Sequence, residues 1–134
     1  MLPFSPRLRI ALATAEALAK GEGRQAATCA DIVAGIVSLS GGVADNLLRA
    51  RGFSASVAAV PLTTLSHDPT AYSVGSLEAL SRAIAEAADR SHELVGVEDM
   101  LVGLLSPPSA ETSALFARRG LNLEELLSEV RRQM

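Results

Sequence analysis

The sequence predicts an all-α domain of eight helices, built as two four-helix units related by a pseudo-two-fold axis. Three observations lead there. The 134 residues are 49% hydrophobic but only 3% aromatic, a composition that favours helices packed through small side chains over a β-sheet. Residues 4–56 lie over residues 72–124 at a constant offset of 68 without a gap. In each copy, apolar residues recur at three- and four-residue steps between helix-starting and helix-ending signals.

The repeat rests on particular residues, because alanine-rich helices match one another by chance. Gly35/Gly103, Asp31/Asp99, Ser38/Ser106 and the steps Arg51-Gly52/Arg119-Gly120 are identical, and Phe4/Tyr72, Ile32/Met100 and Ile36/Leu104 are conservative pairs. One domain is expected over residues 1–134. Its first copy covers about 4–57, a connector about 58–71 and the second copy about 72–133.

The elements follow in order. Ser5-Pro6 supplies an N-cap and a proline at the first helical position. Leu8, Leu12, Ala15 and Ala19 then form one apolar stripe, which Gly21 and Gly23 end. Thr28 and Asp31 have capping-box spacing and open a second helix carrying Ile32, Val33, Ile36 and Val37. Gly41-Gly42 breaks it, a third helix runs to about Arg51, and residues 53–57 allow one more short turn. Pro61 and Pro69 bracket the connector. In the second copy a helix starts near Ser73, another spans about 97–105, and Pro107-Pro108 forces a turn. A helix to Arg119 is closed by Gly120, and Asn122 caps the last one through Leu123, Leu126, Leu127 and Val130.

Composition narrows the function classes. A net charge of −3 argues against a nucleic-acid partner, which calls for a basic face. The charge is uneven: residues 4–56 carry six basic and four acidic side chains, residues 72–124 four and eight. The second copy is thus the better place for a cationic ligand. The single cysteine, Cys29, excludes an internal disulfide and fits a reducing cytoplasm, where it reads as a small buried hydrophobe. No apolar run reaches the ~20 residues needed to span a bilayer, so no membrane role is expected.

No catalytic constellation emerges, and neither an enzyme nor a cofactor is expected. His67 and His92 lack partners at metal-ligand spacing. The run from Gly21 to Ala26 mimics a dinucleotide fingerprint but follows a helix rather than a strand. No serine sits in a nucleophile elbow, and no ATP-binding phosphate loop is present. The candidate ligand-binding residues are instead Glu98 and Asp99, with Thr28 and Asp31 at the corresponding helix start. Carboxylates in a first helical turn are favoured by the dipole and can also grip a guanidinium, while free amides bind an adjoining phosphate. Capping is the better explanation of Asp31 and Asp99. Arg49 and Arg51, with Arg118 and Arg119, form a candidate secondary basic patch near the third helix end of each copy.

The segment Val95-Gly96-Val97-Glu98-Asp99-Met100-Leu101-Val102-Gly103-Leu104-Leu105 resembles the "G-T-E-H-L-L-L-G-L-L" signature of the Clp N-terminal domain, the double-repeat module at the front of Hsp100 (Clp) unfoldases. Phe4-Ser5-Pro6-Arg7 is similar to that family's opening "F-T-P-R", and Leu115 to Leu127 resembles its closing "L-x-x-L-G-V-D-L-x-x-L". The resemblance to ClpA- and ClpC-like domains implies a non-catalytic unit that recruits unfolded or marked substrates and adaptor proteins to a Clp ATPase and its peptidase. In the ClpC branch the glutamate of each "G-T-E-H" motif helps hold phosphorylated arginine. Here the matching positions are Glu98 and Ala30, so the resemblance implies one such carboxylate. The alternatives are a stand-alone accessory that docks on the Clp protease or ATPase ring, and a small helical nucleic-acid-binding regulator.

Overall fold

Ser5 opens the first helix as its position predicts. Its hydroxyl accepts from the Leu8 N–H, Pro6 follows, and α1 runs Pro6–Gly21. This computed structural model describes residues 3–54 and 69–134. After α1 come α2 (Cys29–Val37) and α3 (Val43–Ala50), then a short 3-10 turn at Pro69–Ala71. The second half holds α4 (Val74–Asp89), α5 (Val97–Leu105), α6 (Ala110–Ala117) and α7 (Leu123–Gln133). The bounds of α4 and α5 are those of α1 and α2 advanced by 68 residues. The chain is all-helical: no β-strand occurs among the described residues, and backbone pairing outside helices is confined to isolated bridges. Residues 55–57 of the turn expected over 53–57, most of the connector with Pro61, and His67 lie outside the described residues.

Helices α2 and α5 form the centre, and nearly every apolar side chain on them is buried. Each carries a glycine where the preceding long helix crosses. A Cβ at Gly35 would overlap the Ala11 carbonyl oxygen, and one at Gly103 would overlap the Ala79 carbonyl and stand 2.8 Å from Ala83 N. The small residues of the repeat thus set how closely α1 packs on α2 and α4 on α5.

The halves exchange their leading segments. Ser5 N donates to Val95 O at 2.9 Å and Val95 N to Pro3 O at 2.8 Å. In the reciprocal place Ser73 N donates to Ala27 O at 2.9 Å and Ala27 N to Ala71 O at 2.8 Å. Each half therefore satisfies the backbone just ahead of the other half's central helix. Tyr72 adds a bond from its hydroxyl to the Glu16 carboxylate on α1. Helix α7 packs on α5 and reaches across to α3, burying Leu126 and Val130.

Helices α3 and α6 end alike. Gly52 (φ 92°) and Gly120 (φ 66°) take the left-handed conformation that lets the chain reverse. Phe53 N then donates to Leu48 O, and Leu121 N to Phe116 O. No helix among the described residues is long and apolar enough to cross a membrane.

Candidate functional site

The starts of α2 and α5 solve one problem with different residues. At α2 the capping box is complete: Asp31 N donates to Thr28 Oγ1 at 3.3 Å, and Thr28 N donates to Asp31 Oδ2 at 2.8 Å. Arg24 grips both oxygens of the buried Asp31, with Nη1 2.5 Å from Oδ2 and Nη2 2.7 Å from Oδ1. That contact pushes the Arg24 guanidinium still further above its ordinary value, so it stays charged.

At α5 the N-cap is Gly96, which has no side chain to offer, so only the returning half of the box exists. Gly96 N donates to Asp99 Oδ2 at 2.9 Å, and His92 Nδ1 lies 3.0 Å from the same oxygen. His92 is the repeat counterpart of Arg24, but its ring reaches one carboxylate oxygen where the guanidinium reaches two. Asp99 Oδ1 is left buried without a hydrogen-bond partner. Glu98 is half-buried beside it. A Cβ at Gly96 would stand 3.6 Å from Asp99 Oδ2 and 3.7 Å from Glu98 Oε2, so both carboxylates flank this glycine. The start of α5 thus offers the half-buried Glu98 carboxylate at its edge, chemistry suited to an N–H-bearing cation, with the unsatisfied Asp99 oxygen buried behind it.

The corresponding edge at α2 is closed. Ala30 stands in place of Glu98, and Cys29 N donates to Glu111 Oε1 at 3.0 Å from the first turn of α6. Ser73 Oγ donates to the same carboxylate at 2.9 Å. Cys29 is buried, its sulfur 3.5 Å from Ser109 Oγ, in keeping with the packing role expected of it.

The four arginines of the expected basic patch are not equally free. Arg49 turns inward, pairing with the buried Asp45 at 2.9 Å and donating to Val37 O at 2.5 Å and to Leu39 O. Its charge goes to the carbonyls at the end of α2 rather than to an external partner, which removes it from the patch. Arg51 donates to Leu47 O. Arg119 lies over the Phe53 ring, 4.1 Å from its centroid, and donates to Gly52 O, joining the two halves. Arg118 remains exposed.

Sequence reasoning placed Thr28, Asp31, Glu98 and Asp99 at the two helix starts, and they stand there. It missed Arg24, His92 and Glu111. For the first two a signal was present, because both stand seven residues ahead of the paired aspartates at the repeat offset. No local pattern announces Glu111, whose partner Cys29 is 82 residues away. No group of three or more His, Cys, Asp or Glu side chains suited to a metal ion occurs among the described residues.

Paired long and central helices, with leading segments exchanged between the halves, make a fold like that of the Clp N-terminal domains. The N-terminal domain of the caseinolytic protease associated chaperone ClpD from Arabidopsis thaliana is similar over 97% of this chain and 93% of its own, with a TM-score of 0.68 and 14% identity. No protein-family model and no curated protein matches the sequence.

Proposed function

We propose that this chain is a non-catalytic, cytoplasmic protein-binding domain of the double Clp-repeat type, which recognises substrate or adaptor proteins for a Clp/Hsp100 ATPase. The observation that carries this reading is the likeness to the ClpD N-terminal domain across 97% of the chain. The acidic edge at Glu98 and Asp99 is the candidate contact for a basic or arginine-phosphorylated side chain. Glu98 is the carboxylate within a ligand's reach there, and Asp99 lies buried behind it. The inward turn of Arg49 leaves less basic surface for a nucleic acid.

Affinity purification of the tagged chain from the cells that produce it, followed by mass spectrometry, tests the reading. A Clp ATPase, a Clp peptidase or their clients should be enriched, and their absence refutes it. Glu98→Ala should weaken binding to arginine-phosphorylated casein by roughly tenfold, the scale of one charge-assisted hydrogen bond. Unchanged affinity removes Glu98 from the site.

A further inference from the structure

A groove of about 540 Å³ lies between the end of α5, the Pro107-Pro108 turn, α6 and the approach to α7. Its walls are mostly apolar, with Leu121, Leu123 and Leu127 on one side, and its one charged lining residue is Glu124. The first half shows what belongs in such a place. Counted back from the matching Gly52 and Gly120 turns, Ala117 stands where Arg49 stands and Ser113 where Asp45 stands. Both Ala117 and Ser113 line the groove.

In the first half the Arg49 guanidinium fills the corresponding space, pairing with Asp45 and donating to the carbonyls of Val37 and Leu39. The counterparts of Val37 and Leu39 are Leu105 and Pro107, and both line the groove. The second half keeps the helix end at Leu105 and loses the side chain that served it. Beyond that end its backbone departs, with Ser106 extended (φ −138°, ψ 98°) where Ser38 is helical (φ −70°, ψ −16°).

The electrostatics select the occupant's charge. The C-terminal carbonyls of α5 form the negative end of its dipole and favour a cation. One of them already takes a guanidinium: Pro107 has no N–H to give Gly103 O, and Arg82 Nε donates to it instead at 2.8 Å. The start of α7 also borders the groove. It is capped by the Asn122 side chain, which accepts from Glu125 N, and it carries Glu124 and Glu125, so it presents acid rather than positive charge.

We infer that this groove is a receptor for an arginine side chain on an extended segment of a partner protein, seated beside Ala117 and Ser113, which stand where the first half has Arg49 and Asp45. The guanidinium lies at the end of α5 with Glu124 as its counter-ion, and flanking apolar residues of the segment pack on Leu121, Leu123 and Leu127. This deepens the protein-binding reading and rests on it. It adds a site separate from Glu98, at the opposite end of α5.

The test is a nuclear magnetic resonance titration of the full chain with the peptide acetyl-Ala-Leu-Arg-Leu-Ala-amide and with its citrulline analogue, which keeps the shape and loses the charge. The arginine peptide should shift the amides of Leu105, Ala117, Leu121 and Glu124, with the citrulline peptide roughly tenfold weaker. Ala117→Arg, which plugs the groove from within, should abolish the shifts. Glu124→Gln, an exposed change that leaves the fold alone, should weaken the arginine peptide and not its analogue. Equal binding of the two peptides, no binding of either, shifts confined to the start of α5, or a folded Ala117→Arg protein that binds like the wild type each overturns the inference. Should Ala117→Arg keep every partner in the affinity purification while Glu98→Ala loses them, the groove fails and the domain's function stands.

Discussion

Asp31 and Asp99 occupy the same place in two helices, yet two partners differ: Arg24 against His92, and the Thr28 hydroxyl against Gly96, which has none. Supplying the missing fork should make the second resemble the first. His92→Arg is expected to satisfy Asp99 Oδ1, raise stability by about 1 kcal/mol in urea unfolding, and weaken any cationic ligand at the α5 edge. No gain in the unfolding midpoint would show that Oδ1 is already served. Tyr72 makes a second residue-scale prediction, this time of pH dependence. Burial, and then the Glu16 carboxylate, push its phenol well above the ordinary value, so the folded state keeps a proton that the unfolded state releases. That contribution to stability is complete below about pH 10 and is lost as the pH rises beyond it. The wild-type melting temperature should therefore fall more steeply above that pH than the Tyr72→Phe protein's. Tyr72 is the only tyrosine and there is no tryptophan, so ultraviolet difference titration reads this group alone.

At the scale of the helix, the boundaries were legible because they depend on residues adjacent in the chain. Ser5-Pro6, the Thr28/Asp31 box, Asn122 and the glycines after Arg51 and Arg119 all act within one turn, and the structure uses each as its position suggests. Helix crossings depend on distant neighbours. Gly35 and Gly103 read in sequence as repeat markers, whereas in three dimensions they are points where one helix backbone presses on another. Gly35→Ala should thus cost about 1–3 kcal/mol through overpacking, measured by chemical denaturation. Gly21→Ala, at a helix end with nothing within 4 Å of the added carbon, should be neutral or stabilising by about 0.5 kcal/mol. Equal effects at both positions would deny that close packing is what Gly35 provides.

For the whole molecule, the reciprocal bridges Phe4 to Val95 and Tyr72 to Ala27 mean that neither half owns all its backbone partners. The full chain should unfold in one cooperative transition, and a fragment of residues 1–60 alone should lack stable tertiary structure by near-ultraviolet circular dichroism or nuclear magnetic resonance. A well-dispersed spectrum from that fragment would make the halves independent. Arg119, stacked on Phe53 and bonded to Gly52, adds to the same dependence from the far end.

Local spacing by itself determined the seven α-helices described, against the eight expected, with their caps and the placing of Glu98 and Asp99 at a helix start, since each follows from residues within a turn of one another. The repeat offset came from laying the two halves of the sequence over each other. Tertiary structure alone decided which of two equivalent helices has its ends filled by side chains of the protein itself. Glu111 reaches across to close the start of α2, and Arg49 folds inward to fill the end of it. Their counterparts Val43 and Ala117 are too short and apolar to do either, so the second half keeps the acidic edge and the groove. Whether a charge is spent inside the protein or offered to a partner depends on what lies within reach of a long side chain, and that distance is set by packing.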